Sequence, residues 1–344
     1  MPYFHLCDKK MKYVFYLLPV ILLATLLPNC QYTAIQPQDE VTVQLKAVHQ
    51  VQFAGFYIAQ EKGYYTAENI KVNLMEGEKD LAIIPRVIYG KSDFAIVSPE
   101  SMLIAAGKGS PLTALAVIYR ESPIVYVALS SSGITRPLDF IDKTVATLDA
   151  SGSQKDLETQ FYIIMKKQGL SPAQVKAVAW DPEFIAFKRG QIQVTSCYAT
   201  TDLIMMKQEG LRLNLIWPSE YGANFYSDTL VTTDEMIAEK PGMVARFLRA
   251  TIKGWQAAIE DSQLAVDVTL KYAKNKDPQL QMAMMEAQVP LIHTGEERIG
   301  WMKHGVWQQM YDQLWEQGLL EKAFSVDRLY NMKFLQELYG RAGK

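Results

Sequence analysis

The run between residues 41 and 63 constrains the fold more than any other stretch of this chain. It begins with an alternating segment in which Val41, Val43 and Leu45 share one face, as a half-buried β-strand requires. A polar loop at 49–52 follows, and then a helical segment that ends at Gly63, a residue favoured at helix C-termini. Ligands of open α/β sheets bind beyond the carboxyl ends of strands, so the polar loop is predicted to lie at a site.

The polar and aromatic side chains of this run are candidate ligand contacts, namely His49, Gln50, Gln52, Phe53 and Tyr57. The alternative is that they are ordinary loop residues and that the aromatic rings pack the helix on its sheet, since helix-spaced aromatic residues usually belong to a core. His49 has three possible uses: ligand contact, metal ligand or structural histidine. The metal use is the least favoured, because no second histidine or carboxylate pair has a matching spacing.

Two later segments of the chain have the same order of strand, polar loop and helix. Ser98 follows a short apolar strand and precedes Pro99, so it is predicted to cap a helix that also carries Glu100. The start of such a helix can bind the oxygen atoms of a ligand, and the alternative is a plain cap. The loop with Ser151 and Ser153 lacks the glycine pattern of nucleotide-binding loops, so nucleotide hydrolysis is not supported.

Length and composition limit the number of lobes and the classes of protein to which the chain can belong. A chain of 344 residues favours two lobes over one. The formal net charge of -2 gives no sign of a basic nucleic-acid surface, and three scattered cysteines are too few for a disulfide framework or a zinc cluster. The segments at 89–95 and 189–195 both read as a helix end followed by a strand, which predicts two similar βα lobes. The largely helical tail that follows residue 241 is predicted to brace the first lobe.

The N-terminal segment has the pattern of an export signal. Three lysines precede an apolar run at 13–27, which is short for a membrane span of roughly 20 residues. Met11 is a second candidate start. Cys30 follows the run where bacterial lipoproteins are acylated, although residues 26–29 make a poor lipobox, and an uncleaved anchor is the alternative. The predicted organisation is a signal at 1–30 and a linker at 31–40, with the folded part outside the cytoplasm.

Five segments carry a resemblance to a known family. They are HQVQFAGFY at 49–57, EKGYY at 61–65, GKSDF at 90–94, YGANFY at 221–226 and PGMVARFLRATIKGWQAA at 241–258. These segments closely resemble the solute-binding proteins of ABC importers that share a fold with thiamine pyrimidine synthase and with alkanesulfonate-binding proteins. The resemblance covers residues 41 to about 320, which is most of the chain.

The resemblance implies an α/β fold of the two-lobed periplasmic-binding-protein type II, in which each lobe is a mixed sheet flanked by helices and two strands form the hinge. Lobe 1 would comprise 41–127 with 230–344, and lobe 2 would comprise 128–229. The lobes would close on a ligand by hinge motion. The resemblance and the strand ends together place the following side chains at the ligand: His49, Gln50, Gln52, Phe53, Tyr57, Ser98, Glu100, Tyr119, Ser151, Ser153, Trp180, Tyr198, Glu220, Tyr221 and Tyr226.

The same resemblance implies a function without a cofactor. The expected ligand is a flat heterocycle such as a pyrimidine precursor of thiamine or riboflavin, held between aromatic rings and polar side chains. The expected partners are an ABC permease and the membrane, reached through the signal or a lipid on Cys30. The receptor would be a monomer in the periplasm or at the cell surface, and nucleic acid is not an expected partner.

Two other functions remain as alternatives. The synthase of this family needs a Schiff-base lysine on the strand at 93–97, a histidine shortly after it and a cysteine-rich run. Val97 and Ser101 occupy those two places here, and a valine cannot form an imine. A sensor input module is the third function, and it is less favoured because no signalling domain follows before Lys344.

Overall fold

The computed structural model describes residues 37–78, 82–148, 155–295 and 298–341. Cys30, Ser151 and Ser153, on which three of the predictions fall, lie outside the described residues. Between residues 37 and 341, apart from the three gaps, no helix combines the length and the apolar character that crossing a bilayer requires.

The strands of the described residues are β1 Asp39–Gln44, β2 Ile70–Met75, β3 Phe94–Val97, β4 Leu112–Tyr119, β5 Ile124–Leu129, β6 Thr144–Leu148, β7 Lys176–Ala179, β8 Val194–Tyr198, β9 Leu213–Ile216 and β10 Ser227–Thr233. The helices are α1 Ala54–Glu61, α2 Tyr64–Ala67, α3 Ile83–Ile88, α4 Pro99–Gly107, α5 Lys155–Lys167, α6 Ile185–Lys188, α7 Asp202–Gln208, α8 Asp234–Glu239, α9 Pro241–Glu260, α10 Ser262–Tyr272, α11 Pro278–Ile292, α12 His304–Glu316 and α13 Lys333–Arg341.

These strands form two mixed sheets of five strands each, which confirms the predicted fold class. The first sheet has the order β2-β1-β3-β10-β4 and the second has the order β7-β6-β8-β5-β9. In the first sheet β1 pairs in parallel with β2 and β3, and β10 runs antiparallel to both of its neighbours. In the second sheet β6 and β5 have the corresponding roles. The two sheets therefore share one topology.

The chain passes between the sheets twice, through residues 120–123 and through residues 217–226. The strand that follows each crossing, β5 or β10, is the antiparallel strand of the sheet it enters. Each crossing therefore ends in the strand that is fourth in its sheet order. The predicted lobe bounds fall inside β5 and β10, and the division into two lobes stays a prediction.

The similarity of the segments at 89–95 and 189–195 has a structural reason. The glycine before β3, Gly90, has φ +65°, and the glycine before β8, Gly190, has φ +72°. Both follow a short helix, and β3 and β8 are third in the order of their sheets. Glycine adopts this left-handed conformation without steric cost, so the same turn is encoded by the same residue in both halves.

Helix α1 lies against α9 at two glycines. A Cβ built on Gly254 would lie 2.0 Å from the carbonyl oxygen of Gly55, and one on Gly55 would lie 2.3 Å from the ring of Trp255. Only residues without a side chain allow such an approach. The contact fixes α1 against α9, whereas the polar loop before α1 is bonded to α11, where Gln281 and Gln288 meet the backbone of Val51.

The C-terminal segment packs on the outer strand of the first sheet, as the sequence predicts. The backbone N–H of Ala114 in β4 donates to Leu329 at 2.7 Å, and that of Val117 donates to Gly300 at 3.1 Å. Further along the chain, the N–H of Arg120 donates to the carbonyl oxygen at the end of α11, again at 2.7 Å. The tail thus satisfies backbone groups of β4 that would otherwise form a free sheet edge.

Candidate ligand-binding site

An ion pair lies where the carboxyl end of β1 meets the start of β10. The alternating run predicted over 41–48 forms a strand only as far as Gln44, so Lys46 leaves the sheet and its Nζ reaches Asp228 Oδ1 at 2.7 Å. The two side chains are 10% and 2% exposed. Lys46 also donates to the hydroxyl of Tyr198, at the end of β8 in the second sheet, at 3.3 Å. This ammonium group therefore joins the two sheets.

The second sheet supplies the next carboxylate. The Tyr198 hydroxyl donates to Asp156, which lies in the first turn of α5. Burial raises the pKa of Asp156, although Lys46 opposes the shift. Burial alone would lower the pKa of Lys46, but Asp228, Asp156 and Glu100 together raise it above its ordinary value. Lys46 is accordingly a stable cation at neutral pH.

Glu100 is the most deeply buried acid of the group, with 0% of its surface exposed. Its Oε1 accepts a hydrogen bond of 2.8 Å from Gln160 on α5, which also donates to Ser122 at 3.0 Å. Burial, and then the nearby Asp156, raise the pKa of Glu100 to about 8. Its Oε2 has no hydrogen-bond partner among the described residues. Glu100 is thus protonated at pH 7 and keeps one unused oxygen.

Two of the predicted loop residues are connected to the ion pair of Lys46 and Asp228. Gln52 donates to Asp228 Oδ2 at 2.8 Å, and Gln50 donates to Gln52 at 2.7 Å. Hydrogen bonds and an ion pair join five of these side chains, and the Glu100–Gln160 pair is coupled to them electrostatically. We call the whole group the buried polar cluster, which comprises Lys46, Gln52, Glu100, Asp156, Gln160, Tyr198 and Asp228. Nearby, the hydroxyl of Tyr119 donates to Gln288 at 2.6 Å. The cluster takes members from both sheets, so its hydrogen bonds span the interface between them.

A cavity of about 440 Å³ lies beside this cluster. Ser122 and Gln160 line it, and both chain crossings contribute to its wall. Trp217 and Phe225 add aromatic surface. Cavities of roughly 300–1,000 Å³ with apolar walls and a few polar groups are typical of small-ligand sites.

A second group of side chains lies after β1 and β2. The Nδ1 of His49 is 3.0 Å from the hydroxyl of Tyr57, whose ring stacks on Tyr272 with centroids 4.5 Å apart. The backbone N–H of His49 donates to Glu76, which pairs with Lys274 at 2.7 Å. Burial lowers the pKa of His49, while Glu76 opposes the shift. We call His49, Tyr57 and Tyr272 the His49 aromatic group.

Other predicted site residues have contacts of their own. Tyr226 accepts the backbone N–H of Lys303 at 3.0 Å and lies edge-on to Trp307, so it packs against the C-terminal segment. The indole N–H of Trp180 donates to the carbonyl oxygen of Ser196 at 2.9 Å. Ser98 caps α4 through the N–H of Ser101 at 3.3 Å, as predicted. The described contacts of these residues run outside both named groups, and a ligand role for them stays a prediction.

Three predicted residues remain. Phe53 is buried in the core, whereas Glu220 is exposed and Tyr221 is half-buried on the 3-10 turn Pro218–Tyr221. The last two lie on the crossing that lines the cavity. Their assignment to the ligand stays a prediction.

Sequence reasoning missed Lys46, Asp156, Gln160 and Asp228. A signal was present for two of them, because Asp156 and Gln160 are one helical turn apart on the same face as the buried Leu157 and Phe161 of α5. Polar side chains on the apolar face of a helix require partners, which are Tyr198 at the end of β8 for Asp156 and Glu100 on α4 for Gln160.

A comparison with family models decides the family. The model described as NMT1/THI5 like matches residues 50–265, which is more than half of the chain. The chain belongs to the NMT1/THI5-like family.

Relatives and solved structures agree with this membership. The chain is 23% identical to the riboflavin-binding protein RibY of Chloroflexus aurantiacus, over 90% of this chain and 88% of that protein. It is 26% identical to the formylaminopyrimidine-binding protein of Halalkalibacterium halodurans, over 84% of each. Its fold is similar to that of the periplasmic aliphatic sulphonate binding protein SsuA from Escherichia coli, with a TM-score of 0.67, 13% identity and coverage of 84% and 91% of the two chains.

Proposed function

We propose that this member of the NMT1/THI5-like family is the exported solute-binding receptor of an ABC importer and closes on a small heterocycle without transforming it. The observation that carries the proposal is the buried polar cluster. Its hydrogen bonds join side chains of the first sheet to side chains of the second, at the interface where both chain crossings meet. Two halves that meet through polar side chains beside a cavity provide what a closing receptor needs.

The nature of the ligand is supported by the relatives. One is named for riboflavin and the other for a formylaminopyrimidine, and both of these molecules are flat and rich in hydrogen-bonding groups. The cavity offers aromatic rings, and the cluster offers donors and acceptors. We therefore propose a vitamin-related pyrimidine or flavin as ligand, and the predicted contacts from His49 to Tyr226 as residues that line its path.

Its cellular setting is part of the proposal. The N-terminal signal pattern and the solute-binding relatives favour a location outside the cytoplasm, with an ABC permease as partner and Cys30 as a lipid attachment point. Mass spectrometry of the protein from membranes would test the lipid, since acylation adds a defined mass to a peptide that begins at Cys30.

The synthase function receives no support from the residues of this site. Val97 lies in β3 opposite Thr229 and is 3% exposed. The amine of the cluster, Lys46, is held as an ammonium ion beside Asp228, and a charged amine is no nucleophile. The proposed receptor therefore binds its ligand without covalent chemistry.

A thermal-shift screen of the purified protein tests the function. Thiamine pyrimidine precursors and riboflavin are expected to raise the melting temperature, because a ligand bound to the native state alone stabilises it. Sulfonates and polyamines serve as comparison ligands. A screen in which no heterocycle produces a shift, or in which the protein consumes the ligand, would contradict the proposal.

A further inference from the structure

Two glutamines lie on the apolar face of helix α11. Gln281 and Gln288 are 1% and 0% exposed, and the residues between them on that face are buried apolar side chains such as Met284. Buried amide groups require hydrogen-bond partners, and an amide on an apolar face has to find them on another element. Both side chains are bonded to one residue, Val51, in the polar loop before α1.

The two bonds hold opposite backbone groups of Val51. Oε1 of Gln281 accepts the backbone N–H of Val51 at 2.9 Å, and Nε2 of Gln288 donates to its carbonyl oxygen, also at 2.9 Å. Val51 begins the 3-10 turn that leads into α1, and the first N–H groups of a helical segment have no partner within it. Among the described residues, Gln50 forms no side-chain cap at this start. Gln281 therefore supplies the cap from another helix.

Helix α11 is itself held at both ends. Asp277 caps its first turn. Near the last turn, the hydroxyl of Tyr119 in β4 donates to Oε1 of Gln288 at 2.6 Å. The carbonyl oxygen of Leu291 accepts a backbone N–H of the first chain crossing at 2.7 Å. The helix therefore holds Val51 in a fixed position relative to β4 and to that crossing.

The residue that is held lies between two side chains predicted to contact the ligand. Gln50 and Gln52 flank Val51, and Gln52 donates to Asp228 Oδ2 at 2.8 Å in the buried polar cluster. The backbone is extended at Gln50, with φ -160° and ψ 173°, and the turn begins at the next residue. The chain thus changes direction at Val51. A change in its backbone angles would redirect both flanking side chains.

We propose that Gln281 and Gln288 are positioning residues for ligand binding. They do not contact the ligand; they fix Val51 and thereby the directions in which Gln50 and Gln52 meet it. The proposal rests on the receptor function above and adds the residues that keep the loop in its binding conformation. Such preorganisation strengthens binding, because the ligand does not have to order the loop.

Hydrogen exchange of the full chain without ligand tests whether the glutamines hold the loop. Gln281→Met keeps a side chain of similar length and removes the acceptor of the Val51 N–H. Mass spectrometry should show exchange at 50–53 at least about tenfold faster, because losing a buried hydrogen bond permits local opening. Exchange at 57–61, further along α1, should stay at the wild-type rate.

Gln279→Met is the control for hydrogen exchange, since Gln279 is exposed on the same helix, and it should change neither segment. Equal acceleration of both segments by Gln281→Met would show that Gln281 stabilises the fold as a whole. That result would overturn the positioning role, and so would an unchanged rate at 50–53.

Titration calorimetry with riboflavin and with hydroxymethylpyrimidine tests the consequence for binding. Gln281→Met and Gln288→Met should each weaken the bound heterocycle by about tenfold, and Gln279→Met should leave its affinity unchanged. In a protein that already carries Gln52→Ala, the loss caused by Gln281→Met should shrink to about threefold or less, since the residue acts through the loop. Losses that multiply in full would contradict this route.

The direction of each hydrogen bond gives a sharper distinction. Gln281→Glu keeps an acceptor for the Val51 N–H and should retain the affinity within about threefold. Gln288→Glu places a carboxylate oxygen against the Val51 carbonyl oxygen and should weaken binding at least about tenfold. Both changes add one acid to the same buried face of α11. Equal losses would show that buried charge decides the result, and would overturn the proposal.

The outcomes separate the receptor function from the positioning role. If neither heterocycle binds to the wild-type protein, the receptor function fails, and the positioning role in ligand binding fails with it. If a heterocycle binds and both methionine variants keep the wild-type affinity, the function stands and the positioning role is wrong. Circular dichroism of every variant shows whether the native fold is kept.

Discussion

The buried polar cluster and the His49 aromatic group lie near the same strand end and are built differently. The cluster links the first sheet to the second through Lys46 and Tyr198, and through Glu100 and Gln160. The His49 aromatic group is made from the loop after β1 and from helices α1 and α10, all on the side of the first sheet. If the proposed receptor closes, its closure should change the surroundings of the cluster and leave those of the aromatic group unchanged.

The largest expected effect on stability comes from removing the cation of the cluster's ion pair. Lys46→Met leaves the buried Asp228 carboxylate without its ammonium partner, which should lower the free energy of unfolding by about 3–5 kcal/mol in urea titrations. The control is Lys71→Met, because Lys71 and Glu40 form an exposed pair at 2.9 Å. That change should cost no more than about 1 kcal/mol. Equal losses would show that breaking the buried ion pair costs no more than breaking an exposed one.

The next effect is a fall in stability as the pH rises, whereas His49, whose pKa burial lowers, should contribute a rise that is complete above its ordinary value of 6.5. Glu100 has a folded-state pKa of about 8, above the value of an exposed glutamate. The unfolded chain releases this proton near pH 4.5 and the folded chain keeps it until about pH 8, so the folding stability that Glu100 contributes is complete below pH 4.5 and is lost between the two values.

Glu100→Gln should remove that fall in stability between pH 4.5 and pH 8. Urea unfolding of both proteins at several pH values measures it. His49→Gln should leave the fall in place, because His49 belongs to the aromatic group. Profiles of the wild-type and Glu100→Gln proteins that run parallel over this range would contradict the shifted pKa.

A smaller change tests the contact between the halves. Tyr198→Phe removes the hydroxyl that donates to Asp156 and accepts from Lys46, so the carboxylate loses one of its donors. We expect a loss of about 1–3 kcal/mol in unfolding free energy and about a tenfold loss in ligand affinity by calorimetry. An unchanged affinity would show that the cluster has no part in closing on the ligand.

The smallest expected effect concerns the aromatic group. Tyr272→Ala removes the ring stacked on Tyr57 and should cost about 1 kcal/mol of stability and a few-fold in ligand affinity. Trp315→Ala is the control, since Trp315 stacks on Tyr311 at 6.2 Å, on helix α12, and is 46% exposed. It should lower stability by a similar amount and leave the affinity unchanged. If Tyr272→Ala lowered the affinity as much as Tyr198→Phe does, the two groups would contribute equally to ligand binding.

Much of the fold was predictable because its signals are local. The alternation from Val41 and the glycines at 63, 90 and 190 mark strands and turns through short-range sterics, and Gly63 does adopt φ +69°. The type of fold followed from the family segments. The exact end of β1 did not, since the alternation continues through Lys46 although the strand pairing ends at Gln44.

The site was less predictable because its contacts join distant parts of the chain. The sequence pattern places Lys46 on the polar face of a strand, and no neighbouring residue indicates that its partners are Asp228 and Tyr198. Tyr226 shows the opposite case, since it lies in a family segment but contacts Lys303 and Trp307, far along the chain. Pairings of this kind depend on how two sheets meet, which periodicity does not encode.

The close packing of Gly55 against Gly254 bears on which part of the proposed receptor can move when a ligand binds. Gln52 and Phe53 come just before that contact, so we expect this part of the proposed receptor to move little when a solute binds. Accommodation of solutes of different size would then come from the part that carries Tyr198 and Asp156. Variation in solute preference among related receptors should accordingly concentrate around Tyr198 and Asp156.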